Sequence, residues 1–115
     1  MKNENLVREM GKKEFLDNVL EHNPHADLML ISRAYDFAQA AHSGQKRMSG
    51  EDYFQHVLNV AYILSGMRID SETIAAALLH DVLEDTKTTK EQLKREFGPA
   101  VTAIVEGETK KIALK

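Results

Sequence analysis

Apolar residues recur three and four positions apart along most of this 115-residue chain, and no alternating run of β-branched residues sits between hairpin turns. The first pattern marks amphipathic helices, and the lack of the second argues against a sheet. The spacing predicts an all-α bundle of five or six short helices. Leu6, Met10, Phe15, Val19 and Leu20 mark a leading helix that ends before Asn23-Pro24. A second runs from about Asp27 to His42, with Leu28, Ile31, Tyr35 and Ala38 on one face, and stops at Ser43-Gly44. The stretch SGQKRMSGEDY, residues 43 to 53, reads as an exposed loop. A third helix, about Tyr53 to Ser65, is closed by Gly66. A fourth, capped by Asp70 or Ser71, runs through Ile74 and Leu78 into Val82. Thr88 followed by Glu91 is a capping-box pattern that opens a fifth helix, ending at Phe97-Gly98. Pro99 suits the first turn of a sixth, through Glu106.

Composition narrows the class. With 43% hydrophobic and 29% charged residues, only 6 Gly and 2 Pro, the chain is expected to fold as one domain. A net charge of −3 lacks the basic field of a general nucleic-acid binder. The count of 0 Cys rules out disulfides and thiolate metal sites. The opening residues MKNENLVREMGKKEF are too polar for a signal peptide, and no apolar run reaches the length of a membrane span, so a cytoplasmic protein is the plain expectation.

The chemistry concentrates in ALLHDVLEDT, residues 77 to 86. Residues three and four apart share a helix face, so Glu84 is expected near His80 and Asp81, and Asp85 near Asp81. Carboxylates that close repel one another unless a cation lies among them. Packing of two helices can add His56, so that His56, His80 and Asp81 surround one divalent metal. Imidazole and carboxylate donors suit Mn, Fe, Zn or a related ion. A lone His beside an apolar run is more often a satisfied core or surface residue; the adjoining acids weigh against that here. Lys46-Arg47 can hold a phosphate or stack on a base, although adjacent basic residues in a loop are usually only solvated. His22, His25 and His42 have no evident partner and read as surface or helix-end residues.

The pieces AHSGQKRMSGEDYFQH, TIAAALLHDVLEDT, FGPAV and GETK, in that order, resemble the N-terminal metal-dependent HD hydrolase domain of the RelA/SpoT alarmone enzymes. The lead-in NPHADLMLISRAYDFA is similar to the approach to that domain. The resemblance implies an HD-like bundle over residues 26–115 behind a helical lead-in over 1–25. It implies hydrolysis of (p)ppGpp to GDP or GTP and pyrophosphate, usually with Mn²⁺. Matched residue by residue, His56, His80 and Asp81 stand at metal ligands, and Glu84 and Asp85 at the acidic pair near the attacking water. Lys46, Arg47 and Ser49 stand in the nucleotide-contacting loop, and Thr109 in the GETK piece joins the substrate-binding set. A metal acidifies water, and a neighbouring carboxylate can orient or deprotonate it.

The chain departs from the family at three points. Val57 replaces the usual Pro after the first ligand His, which alters how the helix starts more than its chemistry. Met48 stands where a basic residue is common, which weakens the expected hold on phosphate. No Asp follows Asp85, whereas the family completes its metal site with a distal Asp in a motif resembling LADRLHN. The resemblance therefore implies the N-terminal part of a longer enzyme, with a natural short protein that has lost the site as the alternative. A non-enzymatic module regulating a synthetase, or another HD nucleotide phosphohydrolase, are the competing functions. A truncated bundle is further expected to leave Ile63, Leu64, Leu78, Val82, Ile104 and Val105 uncovered and to self-associate through them.

Overall fold

The computed structural model describes residues 11–114, with side chains through Gly107. Among the described residues six helices follow one another: α1 (Lys12–His22), α2 (Leu28–Ala41), α3 (Tyr53–Ser65), α4 (Ser71–Leu79), α5 (Val82–Asp85) and α6 (Lys90–Leu114). Among the described residues there is no strand, only an isolated bridge between Lys46 and Asp52. The all-α expectation holds. Leu6 and Met10, assigned to the leading helix, lie outside the described residues; Phe15 and Val19 are buried, while Leu20 faces solvent.

Local chemistry sets most boundaries. The Asp27 carboxylate accepts from the Leu30 N–H at 3.1 Å and starts α2. Asp70 starts α4 by accepting from the Thr73 hydroxyl at 2.8 Å and the Thr73 N–H at 3.4 Å. That hydroxyl bond, above all, holds the Asp70 carboxyl below the usual carboxylate range, with burial pulling the other way. The α6 start is one residue later than expected. Thr89, not Thr88, accepts from the Gln92 N–H at 3.1 Å, while Thr88 bonds to Thr86.

The expected break at Gly98-Pro99 is present. Gly98 has φ 88 and ψ 168, a conformation that side chains disfavour, and α6 turns there. Arg33 fastens the turn by donating to the Glu96 carbonyl and lying over the Phe97 ring at 5.3 Å. Beyond the turn the helix continues past Glu106 to Leu114.

Helix α4 is the hub, packed against α2, α3 and α6. Ile74, Ala75, Leu78 and Leu79 on α4 meet Ile31 and Ala38 of α2, Val57 and Leu58 of α3, and Leu93, Val101 and Val105 of α6 in one core. Tyr35 joins Phe15 at 6.1 Å and meets Phe54 edge-on at 5.0 Å. Leu78, Val82 and Val105 are thus fully buried, against the expectation that they would be uncovered. The turn at Gly98 lets the later part of α6 lie on α4 and seal that face. Leu64 and Ile104 are partly buried and line a small cleft of about 220 Å³ with Val60, Ala76, Ala77 and His80. Of the six residues, Ile63 alone is widely open, at 61% exposure.

Candidate active site

The sequence from Ala77 to Thr86 is not one helix. Helix α4 ends at Leu79, His80 and Asp81 form a turn, and α5 follows for four residues. Nothing in the local sequence forbids continuation, but the side chains compete for backbone partners. The His80 ring takes the Ala77 carbonyl at 2.8 Å, the acceptor that a continuing helix offers to Asp81. Asp81 is the N-cap of α5, yet its carboxylate makes no cap bond. It points across the bundle instead, where Oδ2 accepts from the Tyr53 hydroxyl at 2.8 Å.

A carbonyl only accepts, so His80 Nδ1 carries the proton, and in the neutral ring Nε2 is a bare lone pair. That nitrogen lies 3.2 Å from Asp81 Oδ1, with both side chains mostly buried. Two electron-rich atoms at that distance need a positive species between them, either a proton or a cation. The donor chemistry therefore suits half of a metal site.

Asp85 joins this pair through Tyr53, whose hydroxyl also lies 3.0 Å from Asp85 Oδ2. The predicted proximity of Asp81 and Asp85 is present, helped by the Asp85 N–H bonding to the Asp81 carbonyl at 2.9 Å. Burial, then the hydrogen bond and charge of Asp81, then those of Asp85, push the Tyr53 hydroxyl far above the ordinary phenol range. Tyr53 is therefore a donor at any ordinary pH.

His56 stands one turn along α3, its ring edge-on to Tyr53 at 5.9 Å. Glu84 is exposed and, with Gln45, Asp85, Lys87 and Gln92, lines an open polar cleft of about 650 Å³. Among the described residues, no group of three or more His, Cys, Asp or Glu side chains is gathered closely enough to hold a metal ion.

The loop before α3 is ordered by its own backbone. Arg47 N–H bonds to the Glu51 carbonyl at 2.8 Å, Gly50 N–H to the Arg47 carbonyl at 2.7 Å, and Tyr53 N–H to the Gln45 carbonyl at 3.0 Å. Gly44 and Gly50 supply the positive φ values of 85 and 92 that the turns need. Lys46, Arg47 and Ser49, with Met48, are exposed and line a cleft of about 570 Å³ that has Tyr53 on its wall. Lys46 pairs with Asp52 at 3.4 Å and Arg47 with Glu51 at 3.6 Å. The side chain of Thr109 lies outside the described residues.

Three participants were missed in the sequence. In the sequence Tyr53 marks only a helix start, although its position three before His56 places both on one face. His42 has the sequence signature of a surface or helix-end residue. It does cap α2, but it is only 2% exposed and stacks on Tyr53 with ring centroids 4.9 Å apart and planes 3° from parallel. Gln45 joins the two sides by donating to the Asp85 carbonyl at 2.7 Å. Its other amide atom faces His42 Nδ1 at 3.0 Å, and His42 Nε2 is left buried without a hydrogen-bond partner.

A helical hub that ends in a His-Asp pair facing a second histidine-bearing helix is the setting in which the comparisons with known proteins fall. A family model described as an HD domain matches residues 34–115. The chain belongs to the HD-domain family. The resemblance read from its motifs is borne out by relatives. It is 52% identical over 103 residues to a guanosine-3′,5′-bis(diphosphate) 3′-pyrophosphohydrolase of Aquifex aeolicus, covering 89% of this chain and 14% of that protein. It is 44% identical over 101 residues to the GTP pyrophosphokinase rsh of Brucella ovis, covering 88% and 14%. It is 46% identical over 92 residues to the bifunctional (p)ppGpp synthase/hydrolase SpoT of Escherichia coli, covering 80% and 13%. The HD chain thus spans about one-seventh of the length of these relatives. Among the described residues, no helix is long and apolar enough to cross a membrane.

Proposed function

We propose that this HD chain contributes the metal-dependent hydrolase site of a RelA/SpoT-type enzyme, which cleaves the 3′-diphosphate of (p)ppGpp to GDP or GTP and pyrophosphate. The observation that carries the reading is Nε2 of His80 held 3.2 Å from Asp81 Oδ1, beside the Asp85 carboxylate. HD hydrolase domains are metal-dependent, and the relatives' names describe this reaction. His80 and Asp81, with His56, would hold the ion, for which Mn²⁺ is the expected choice. A bound divalent ion supplies Lewis acidity to the phosphate and to water. Glu84 and Asp85 stand at or near the attacking water, where one carboxylate would take up its proton and the other orient it. Lys46, Arg47 and Ser49 hold the nucleotide, together with Thr109, and Tyr53 closes the wall between loop and acids.

The test is a chimera in which the segment that follows in the Aquifex aeolicus relative, where the resemblance implies the distal Asp, is joined after Lys115. The expected result is Mn²⁺-dependent release of pyrophosphate from ppGpp, lost in His80→Ala. Release that persists undiminished in His80→Ala contradicts the reading. A second reading, a nucleotide-binding regulatory module without catalysis, is favoured by one observation: no three donors close into a metal site among the described residues. A chimera that binds ppGpp but releases no pyrophosphate would select it.

A further inference from the structure

The carboxylate of Asp81 has a neighbour at each oxygen. Oδ1 faces His80 Nε2 at 3.2 Å, and Oδ2 takes the Tyr53 hydroxyl at 2.8 Å. A carboxylate free to rotate on its sp³–sp² bond has a broad torsion. Fixing one oxygen removes that freedom and leaves the other oxygen aimed at the imidazole lone pair. The Tyr53 ring is itself fixed, stacked flat on buried His42 and meeting His56 edge-on. His42 is in turn tied to Gln45, and Gln45 to the Asp85 carbonyl. The hydroxyl therefore sits on a rigid support that reaches both acids of the turn.

We propose that Tyr53 is a positioning residue: its hydroxyl sets Asp81 so that Oδ1 and His80 Nε2 present a preformed two-donor edge to a divalent cation, and it ties Asp85 to the same point. This rests on the cation reading above. Tyr53 does not touch the ion; it acts through Asp81. A phenol has one proton for two acceptors, so the two carboxylates compete for it. Neutralising Asp81 with a cation would ease that crowding, which couples cation binding to the placement of Asp85. Hydrogen-bond partners behind a metal ligand typically account for 10- to 100-fold in affinity or activity.

The experiment is a titration of the chain with Mn²⁺ alone, following free Mn²⁺ by electron paramagnetic resonance, for wild type, Tyr53→Phe, Asp85→Asn and His80→Ala. Melting temperature is recorded for each. Tyr53→Phe keeps every ring contact and loses only the hydroxyl. The expected result is about 10-fold weaker Mn²⁺ binding at an unchanged melting temperature. Asp85→Asn leaves the hydroxyl to Asp81 and should stay closer to wild type than to His80→Ala; a loss as large as that of His80→Ala would overturn the proposal without recourse to Tyr53→Phe. Equal affinity in wild type and Tyr53→Phe, with His80→Ala weaker, overturns the role of Tyr53 and leaves the cation reading standing. Wild type binding no better than His80→Ala overturns both.

Discussion

At the N-terminal end of α4, the Asp70 carboxylate turns back onto its own helix and satisfies Thr73 twice. At the other end, Asp81 stands at the N-cap of α5 and leaves that duty undone, reaching instead to Tyr53 and His80. Both are aspartates beside a helix start. One is satisfied within three residues and stabilises the fold; the other is satisfied 28 residues away and gives up local stability for a defined place beside an imidazole. A cap that declines its helix marks where the fold serves something other than itself.

The sharpest way to test that contrast is to remove chemistry from one end and stability from the other. In the chimera, Glu84→Gln should cut turnover by about 10²- to 10⁴-fold at saturating Mn²⁺, because the amide cannot take a proton. Mn²⁺ affinity should survive; unchanged pyrophosphate release would remove Glu84 from the mechanism. Between the two ends, Leu78→Ala should cost about 2–5 kcal/mol in denaturant unfolding, since it opens a cavity under α6. A cost close to zero would mean that α6 does not seal α4.

Asp70→Ala should cost about 1 kcal/mol by the same measurement. Because the folded Asp70 carboxyl titrates lower than the unfolded one, its contribution is fully present above the unfolded value of about 3.9 and is lost as pH falls through the lower folded value. The acid limb of the stability curve should therefore flatten in Asp70→Asn. Asp81→Asn should cost less than Asp70→Ala, because it breaks no cap, its amide oxygen can still accept from the Tyr53 hydroxyl, and it relieves repulsion with Asp85. A loss greater than that of Asp70→Ala would erase the distinction between the two ends.

The helices were legible because their signals are local. Apolar spacing, Asp27, Asp70 and the Gly98-Pro99 pair each act within a turn of the chain. Where two adjacent threonines offered the same cap, pattern alone placed it at Thr88 instead of Thr89. The break at His80-Asp81 was illegible for a physical reason. ALLHDVLED keeps helical periodicity without Gly or Pro, and the competing bonds come from the His80 ring and from Tyr53 on another helix. The burial of His42 depends likewise on Tyr53, and that of Leu78 and Val105 on the return of α6 after its turn. The candidate site residues were found by type and motif. Their grouping was not, because the residue that joins Asp81 to Asp85 is a tyrosine with no metal-binding signature of its own.

The central claim is that His80 presents a bare Nε2 to Asp81 for a divalent cation. Long-range ¹⁵N–¹H correlation of the imidazole rings, in mildly alkaline buffer with and without Zn²⁺ as a diamagnetic ion, reads this atom directly. The account predicts that His80 carries its proton on Nδ1, that Zn²⁺ shifts the Nε2 resonance of His80, and that His22 and His25 stay where they were. A proton on Nε2 of His80, or a His80 signal indifferent to Zn²⁺, would contradict it.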